Sequence, residues 1–481
     1  MALPLLGQQA SQLRMRADLT FLTADSLQGR LSLAPGDQVA IDWIASEFLK
    51  AGTEMQLQPV PLIEYRVDRA ASHLTINGKR HTVSGASTTK DVELRAPVVF
   101  AGFGDYTGLD VKGKIVLLFE HEANESEKGQ SLAGQPRAKI LAAATQGAVA
   151  VMIMPDPGRK HPTYGELTAR RPRTSTVNQS IASQMLEEKA AIPQWSISEA
   201  AGMEILTAAG HDARKIQTAI EAGTRPSAFP LRDPMAEVVI KLQDRKEAVS
   251  HNVVGILRGS DPQLKQEAVL FTAHHDHNGR VGQEMMPGAD DNGSGTVAVI
   301  ELARLFGSAK ERPKRTLVFI VFTAEERGLL GAYHYVNFPL IPLAATRAVI
   351  NFDMVGRNET HTEESKGLVN IAPDTSNELN LIGCKFHRQY CEIVERANKN
   401  VGLRINAKWD RDVTFNVLRR SDHFPFLMKS IPAAWWFTGF HPDYHQPSDT
   451  VEKINFEKLA KIVNLAYLSG RDMANGAMSA R

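Results

Sequence analysis

Between Phe271 and His445 the chain carries, in order, His274-His275-Asp276, Asp290-Asp291-Asn292-Gly293, Glu325-Glu326, Asp353 and Tyr444-His445. Imidazole and carboxylate together suit zinc, or less selectively cobalt and manganese, whereas a soft thiolate site would need cysteines, of which the chain has only 2. If each of two metals takes one histidine and one terminal carboxylate and the pair shares a bridging aspartate, three negative charges face four positive ones. That balance leaves room for one hydroxide. The inventory is therefore that of a two-metal hydrolase, in which ions about 3.5–4 Å apart activate water and polarise a carbonyl. Adjacent Glu325 and Glu326 would divide the labour, one binding metal and the other passing a proton from water to the leaving amine.

These residues need elements that deliver them to one place. EAVLFTA (Glu267 to Ala273) reads as a buried strand, with His274 and Asp276 at its end on one side of the period-2 alternation. RTLVFIVFT ends at Ala324-Glu325-Glu326, RAVINFDMVG carries Asp353 near its end, and IPAAWWFTG runs into the loop that bears His445. In open α/β sheets, sites form in the crevice beyond the carboxyl ends of the strands. Four strand ends supplying acids and imidazoles fit that rule.

With the residues laid out, the chain resembles the M28 (clan MH) zinc aminopeptidases that carry a protease-associated (PA) domain. The resemblance rests on TAHHDH (Thr272 to His277), GADDNGSGT (Gly288 to Thr296), FTAEERGLLGA (Phe322 to Ala332), NFDMVGR (Asn351 to Arg357), RSDHFPF (Arg420 to Phe426) and YHQPSDT (Tyr444 to Thr450). Each motif alone is weak; all of them in the family's order are specific. The resemblance implies a mixed-sheet α/β peptidase domain with helices on both faces and two Zn2+ per chain, with Co2+ or Mn2+ as substitutes. It further implies His274 and Asp353 on one metal, Glu326 and His445 on the other, and Asp291 bridging. Glu325 would be the general base acting on a metal-bridging hydroxide. Asp276 would orient His274, as metal-bound histidines commonly require. Tyr444 matches a position whose hydroxyl helps stabilise the tetrahedral oxyanion in some members, although a tyrosine beside a ligand also packs.

Neighbouring residues admit other readings. Asp290 competes with Asp291 for the bridge and could instead orient the turn. His275 and His277 fall on the opposite alternation, which makes them supporting residues rather than ligands. Ser421, Asp422 and His423 could tie down their loop or line the substrate pocket.

Around this core, 481 residues suggest two or three domains. The composition, 43% hydrophobic and 23% charged, is that of an ordinary globular protein, and a net charge of +1 gives no electrostatic reason to expect nucleic acid or an anionic membrane. No run is long and apolar enough to span a bilayer. Residues 1–65 and 236–481 are expected to form the peptidase domain, with AEVVIKLQ (Ala236 to Gln243) returning the chain to the catalytic sheet. In the first part, GDQVAIDWIASEFLKAG predicts a helix with Val39, Ile41, Ile44, Phe48 and Leu49 on one face, closing at Gly52. Residues 66–235 are expected to form an inserted PA-like domain. HLTINGKRHTV holds a hairpin signal at Asn77-Gly78, and strands are expected at Ala96 to Gly104, Leu109 to Glu120 and Ala148 to Pro157. The stretch Pro155 to Pro234, with Arg170, Arg171 and Arg173, reads as a long excursion that could overhang the site.

Cys384 and Cys391 fall within a stretch, Ser376 to Asn400, that reads as one amphipathic helix. At about 1.5 Å per residue their α-carbons would then be roughly 10 Å apart, too far for a disulfide. Two free thiols are expected, which leaves the compartment open. MALPLLGQQA lacks a basic n-region and a full apolar core, so the expectation is export if a leader has been removed and a cytoplasmic protein otherwise.

The expected activity is removal of the N-terminal residue from peptides, with Glu325 and Asp353 placed to hold the substrate's α-ammonium. A carboxypeptidase of the same superfamily would need cations for a terminal carboxylate, and Arg419 and Arg420 keep that alternative open. A catalytically retired binding protein would lose ligands, and none is missing. Oligomeric state, side-chain preference and natural substrate are not readable from the sequence.

Overall fold

Every side chain of Ala268–His274, Thr316–Phe322 and Thr346–Phe352 is buried, which explains why these runs read as continuous apolar text: strands covered on both faces have no solvent side to alternate with. The computed structural model describes residues 9–159, 166, 182–185, 192–224, 228–363, 365 and 368–478. Arg170, Arg171 and Arg173 lie outside the described residues.

In chain order the main sheet consists of β1 (Glu54–Val67), β2 (Ala182–Met185), β3 (Leu242–Leu257), β4 (Ala268–His274), β5 (Thr316–Phe322), β6 (Thr346–Phe352), β7 (Glu378–Ile382), β8 (Arg404–Asn406) and β9 (Ala433–Phe437). Across the sheet they lie in the order β8-β7-β9-β6-β4-β5-β3-β1-β2. The central four, β9, β6, β4 and β5, are parallel, and β3 and β1 extend the sheet antiparallel. Phe271 sits opposite Phe319 on one neighbour and Ile350 on the other. This register brings the carboxyl ends of the central strands to one edge.

Helices cover both faces, as the mixed α/β reading expects. Phe271, Phe319 and Ile350 pack against α1 (Gln12–Leu22), α2 (Pro35–Lys50), α3 (Gly295–Gly307), α5 (Arg388–Asn398) and α7 (Phe456–Asp472). Leu270, Ile320 and Val349 pack on the other side against α4 (Leu330–Asn337) and α6 (His423–Leu427). Each such side chain contributes about 1.5–3 kcal/mol relative to exposure. The core therefore fixes the strand ends before any site chemistry is considered.

The α2 helix forms where predicted, but its buried stripe is narrower. Ile41, Ile44 and Phe48 are buried with Ala40 and Ala45, whereas Val39 is 47% exposed and Leu49 56%. At 100° per residue, Val39 and Leu49 fall off the edge of the face that meets the sheet.

A second, eight-stranded sheet lies between His73 and Ile240. Its order is Lys79–His81, His73–Ile76, Phe229–Ile240, Val92–Phe100, Ile115–Phe119, Ala150–Met154, Gln194–Ser196 and Ser84–Ser87. It has its own core, including Phe100, Leu117, Met152 and Trp195. The predicted hairpin is present: Asn77 and Gly78 both have positive φ, 51° and 75°, and the strands either side pair. Ala236–Ile240 pairs with Val92–Ala96 in this second sheet, so the chain enters the main sheet at Leu242.

The cysteine expectation is overturned. Cys384 and Cys391 form a disulfide with a Cα–Cα distance of 5.8 Å. The stretch from Ser376 is not one helix. Glu378–Ile382 is strand β7, Gly383 turns the chain at φ 114°, Cys384–Phe386 is a short 3-10 turn, and α5 begins only at Arg388. The bend folds Cys384 back towards the first turn of α5, which a continuous helix could not do.

Candidate metal centre and active site

His274 is the last residue of β4, Glu325 and Glu326 follow β5 by three and four positions, Asp353 follows β6, and His445 lies in the loop after β9. Asp291 comes from the turn that opens into α3. All five expected metal residues and Glu325 therefore meet at the carboxyl edge of the parallel strands.

Asp291 occupies the middle. Its Oδ1 lies 3.6 Å from His274 Nε2, and its Oδ2 lies 2.9 Å from His445 Nε2. Asp353 Oδ1 and Glu325 Oε2 are each 3.7 Å from His274 Nε2, on one side of the aspartate. On the other side, Glu326 Oε2 lies 3.4 Å from His445 Nε2. One carboxylate facing two histidines with opposite oxygens is the geometry of a bridge.

Among the described residues, two groups of side chains offer ligand atoms within 4.8 Å of one another: His274, Glu325 and Asp353, and His277, Asp291 and Glu326. His277, read from the sequence as a supporting residue, comes into the site itself. Its Nδ1 is 2.7 Å from Glu326 Oε1. The strand alternation ends at His274, so parity no longer says where a side chain two or three residues later will point.

The donor set fits cations. Nε2 of His274 and of His277 are buried without a hydrogen bond, and the carboxylate oxygens around His274 Nε2 stand too far away to serve as partners. Four acids, Asp291, Glu325, Glu326 and Asp353, are gathered in a buried pocket, where uncompensated negative charge is costly. Divalent ions held by nitrogen and oxygen would resolve both conditions.

The two glutamates differ electrostatically. Burial pushes the Glu325 carboxyl well above its usual range. Burial acts the same way on Glu326, but His445 and His277 outweigh it and hold that group well below the usual value. Burial opposes the charge on His445 too, yet Glu326 and Asp291 carry it up to about 9. Neighbouring carboxyls pushed apart in this way are the usual sign of separate roles.

The surrounding shell holds each group in place. Ser421 donates to Asp353 Oδ2 at 2.6 Å, Asn351 donates to Ser421 at 2.7 Å, and Thr272 donates to Asn351 at 2.7 Å. Trp435 Nε1 donates to the Asp353 carbonyl at 2.8 Å. His274 is oriented through Nδ1, 3.0 Å from the carbonyl of Asp276, rather than by the Asp276 carboxylate, whose Oδ1 is 3.7 Å away. That carboxylate instead accepts the backbone N–H of Glu325 at 3.0 Å and of Glu326 at 3.3 Å. Burial raises Asp276 to about 6.

Asp290 faces away from the bridge, accepting from the Gly356 N–H at 2.6 Å with its other oxygen 3.2 Å from His441. His275 likewise points elsewhere, its Nδ1 2.7 Å from Asp37. Arg420 donates to the Tyr444 hydroxyl at 3.0 Å, and the Tyr444 ring lies 3.9 Å from that of His445. Arg419 is paired at 3.7 Å with Glu120, which follows the Ile115–Phe119 strand of the second sheet.

Three further residues support the site. Asp449 accepts the N–H groups of Asp290 and Asp291 at 2.9 and 3.2 Å. Asp422 is buried with both carboxylate oxygens unpartnered, and burial raises its pKa well above normal. Arg30 reaches the site from the N-terminal segment. Asp422 belongs to the Ser421-Asp422-His423 group read from the sequence as tying down its loop or lining the pocket, Asp449 lies in the YHQPSDT motif with no signal of its own, and Arg30 lies in no motif.

Residues 252–468 match the sequence model of peptidase family M28, a span that contains every residue of the two clusters. Over that span the chain resembles peptidase family M28. The chain is 27% identical over 438 residues to aminopeptidase YwaD of Bacillus subtilis, covering 88% of the chain and 76% of that protein. It is 23% identical over 466 residues to leucine aminopeptidase 2 of Arthroderma otae, covering 90% and 78%. Its fold resembles that of the aminopeptidase from Aneurinibacillus sp. strain AM-1, with a TM-score of 0.51 at 22% identity over 96% of this chain and 93% of that one.

Proposed function

We propose that this protein is a zinc aminopeptidase that removes the N-terminal residue from peptides. The observation that carries the reading is the placement of Asp291 between two histidine–carboxylate clusters. His274 and Asp353 would hold one zinc, Glu326 and His445 the other, with Asp291 shared. Zinc bound there supplies Lewis acidity, polarising the scissile carbonyl and lowering the pKa of water.

The chain's own residues do the rest. Glu325, buried and 9% exposed, takes the proton from the attacking water and delivers it to the leaving amine. Its raised affinity for protons suits a group that must hold one between the two steps. Glu325 and Asp353 also present negative charge to the substrate's α-ammonium, which favours a free N-terminus over a blocked one. Tyr444, polarised by the Arg420 guanidinium on its oxygen, is placed to donate to developing negative charge on the carbonyl oxygen. Asp276 holds the Glu325 and Glu326 backbone through their N–H groups.

Residues 66–235 act as an inserted PA-like domain in this reading, supported by the separate core of the second sheet, with 1–65 and 236–481 forming the peptidase domain. The insert touches the site's surroundings through Glu120 on Arg419 and through Gln130, which donates to Asn416. Peptides are the expected partners; among the described residues no helix is long and apolar enough to cross a membrane.

Zinc titration of the metal-stripped chain tests the proposal. Saturation at two equivalents with return of peptidase activity is the expected result. Saturation at one, or activity that never depended on metal, would overturn the two-ion reading.

A further inference from the structure

Arg30 is 1% exposed, and among the described residues no carboxylate pairs with it within hydrogen-bond reach. Its guanidinium donates to four backbone carbonyls instead. Nε donates to His275 at 2.9 Å, Nη1 to Pro287 at 2.8 Å and also to Leu22, and Nη2 to Gly288 at 3.0 Å. His275 directly follows the ligand His274, while Pro287 and Gly288 lead into the turn carrying Asp291. Leu22 is the end of α1. One side chain thus spans the N-terminal helix and the two loops that supply His274 and Asp291.

The backbone around Arg30 reinforces the junction. His277 N–H donates to the Arg30 carbonyl at 2.9 Å, and Gly279 N–H donates to the Gly29 carbonyl at 3.0 Å. At Gly29, with φ 70°, an added Cβ would lie 2.5 Å from the carbonyl oxygens of both Gly279 and Met286, so the strap is seated as closely as a glycine allows. Burial works against the charge of Arg30, and Asp291, Asp37, Asp276 and Asp449 work in its favour. A planar fork with five donors serves these four carbonyls at once, one more than the three donors of a lysine ammonium can satisfy.

We propose that Arg30 is a positioning residue for the metal centre: by tying the His275 and Pro287-Gly288 carbonyls together it sets the spacing of the His274 and Asp291 loops, and so the affinity for zinc. The hydrogen bonds of the Arg30 side chain go to backbone carbonyls and to none of the ligand side chains. The inference rests on the two-zinc reading above and deepens it.

The test is zinc binding by the metal-stripped full chain against a chromophoric chelator, for wild type, Arg30→Lys and the control Arg315→Lys. Arg315 is a second buried arginine that donates to carbonyls, of Met473 and Met478, but at the opposite end of β5. Arg30→Lys should keep the fold and bind zinc at least about tenfold more weakly, in the range that supporting residues of metal ligands usually command. Arg315→Lys should lower thermal stability and leave zinc affinity at the wild-type value. Wild-type zinc affinity in Arg30→Lys, or an equal loss in Arg315→Lys, would overturn the proposal.

If Arg30→Lys does not fold, amide exchange in the wild type decides, because coupling between the strap and the site must act in both directions. Zinc loading should slow exchange at the His277 and Gly279 amides; no change there overturns the proposal. A wild-type chain that takes up no zinc would instead remove the underlying function.

Discussion

The backbone N–H of Glu325 donates to the Asp276 carboxylate at 3.0 Å, joining the end of β5 to the end of β4. The other oxygen of the same carboxylate accepts from the Glu326 N–H at 3.3 Å. Asp276 thereby fixes Glu325 and Glu326, the proposed base and its neighbouring proposed ligand, as a unit. Asp276→Asn would turn an amide donor towards an N–H that needs an acceptor. It should lower kcat/KM by about 10–100-fold, the range for residues that orient metal ligands, with little change in thermal stability. Steady-state kinetics beside a melting curve would check it.

Glu325→Gln removes the proposed proton carrier while preserving shape. Turnover should fall about 10²–10⁴-fold, the usual contribution of general acid–base catalysis, while zinc content stays at the wild-type level. Metal analysis of the inactive protein separates the two glutamates. Loss of zinc together with activity would mean that Glu325, which shares a cluster with His274 and Asp353, is itself a ligand.

The site was legible in the sequence because its residues follow buried strands. A parallel strand wrapped on both faces leaves a long apolar run, and the run's end marks the edge where side chains meet; His274, Glu325 and Asp353 could be placed on that basis alone. Legibility failed where chain direction changes. His277 lies past the strand end, where alternation no longer reports direction. Cys384 and Cys391 were assigned to a helix because their surroundings have helical spacing, and the turn at Gly383 carries no signal strong enough to interrupt it. Arg30 was beyond reach for another reason. Its partners are carbonyls, which every residue has, so its role depends wholly on tertiary position.

The disulfide closes a short loop, with a sequence separation of 7. Loop-closure entropy of that size corresponds to about 2 kcal/mol of stability. Denaturant unfolding with and without reductant should differ by about that amount, and thiol-specific alkylation of the denatured, unreduced chain should label neither cysteine. Two labelled cysteines would restore the free-thiol expectation.

Glu267 gives a pH signature away from the metal centre. Hydrogen bonding from Arg347, against the opposing effect of burial and with help from Arg315, lowers its pKa to about 2. A carboxylate whose folded pKa lies below its unfolded value, about 4.3, contributes stability above that pH and loses it as the pH falls towards the folded value. Glu267→Gln should therefore cost about 2 kcal/mol near neutral pH, as expected for hydrogen bonds to charged groups. The gap between variant and wild type should narrow as the pH drops from about 5 to about 3. A gap that is constant with pH would show that the carboxylate charge is not what Arg315 and Arg347 recognise.

The most direct test of the aminopeptidase assignment is hydrolysis of one short peptide in three forms: free at both ends, N-acetylated and C-amidated. Each form is assayed before and after chelation and again after zinc is restored. Cleavage of the free and amidated peptides, none of the acetylated one, and recovery with zinc is the predicted pattern. Cleavage of the acetylated peptide with loss on amidation would contradict it, and would move substrate recognition to Arg419 and Arg420.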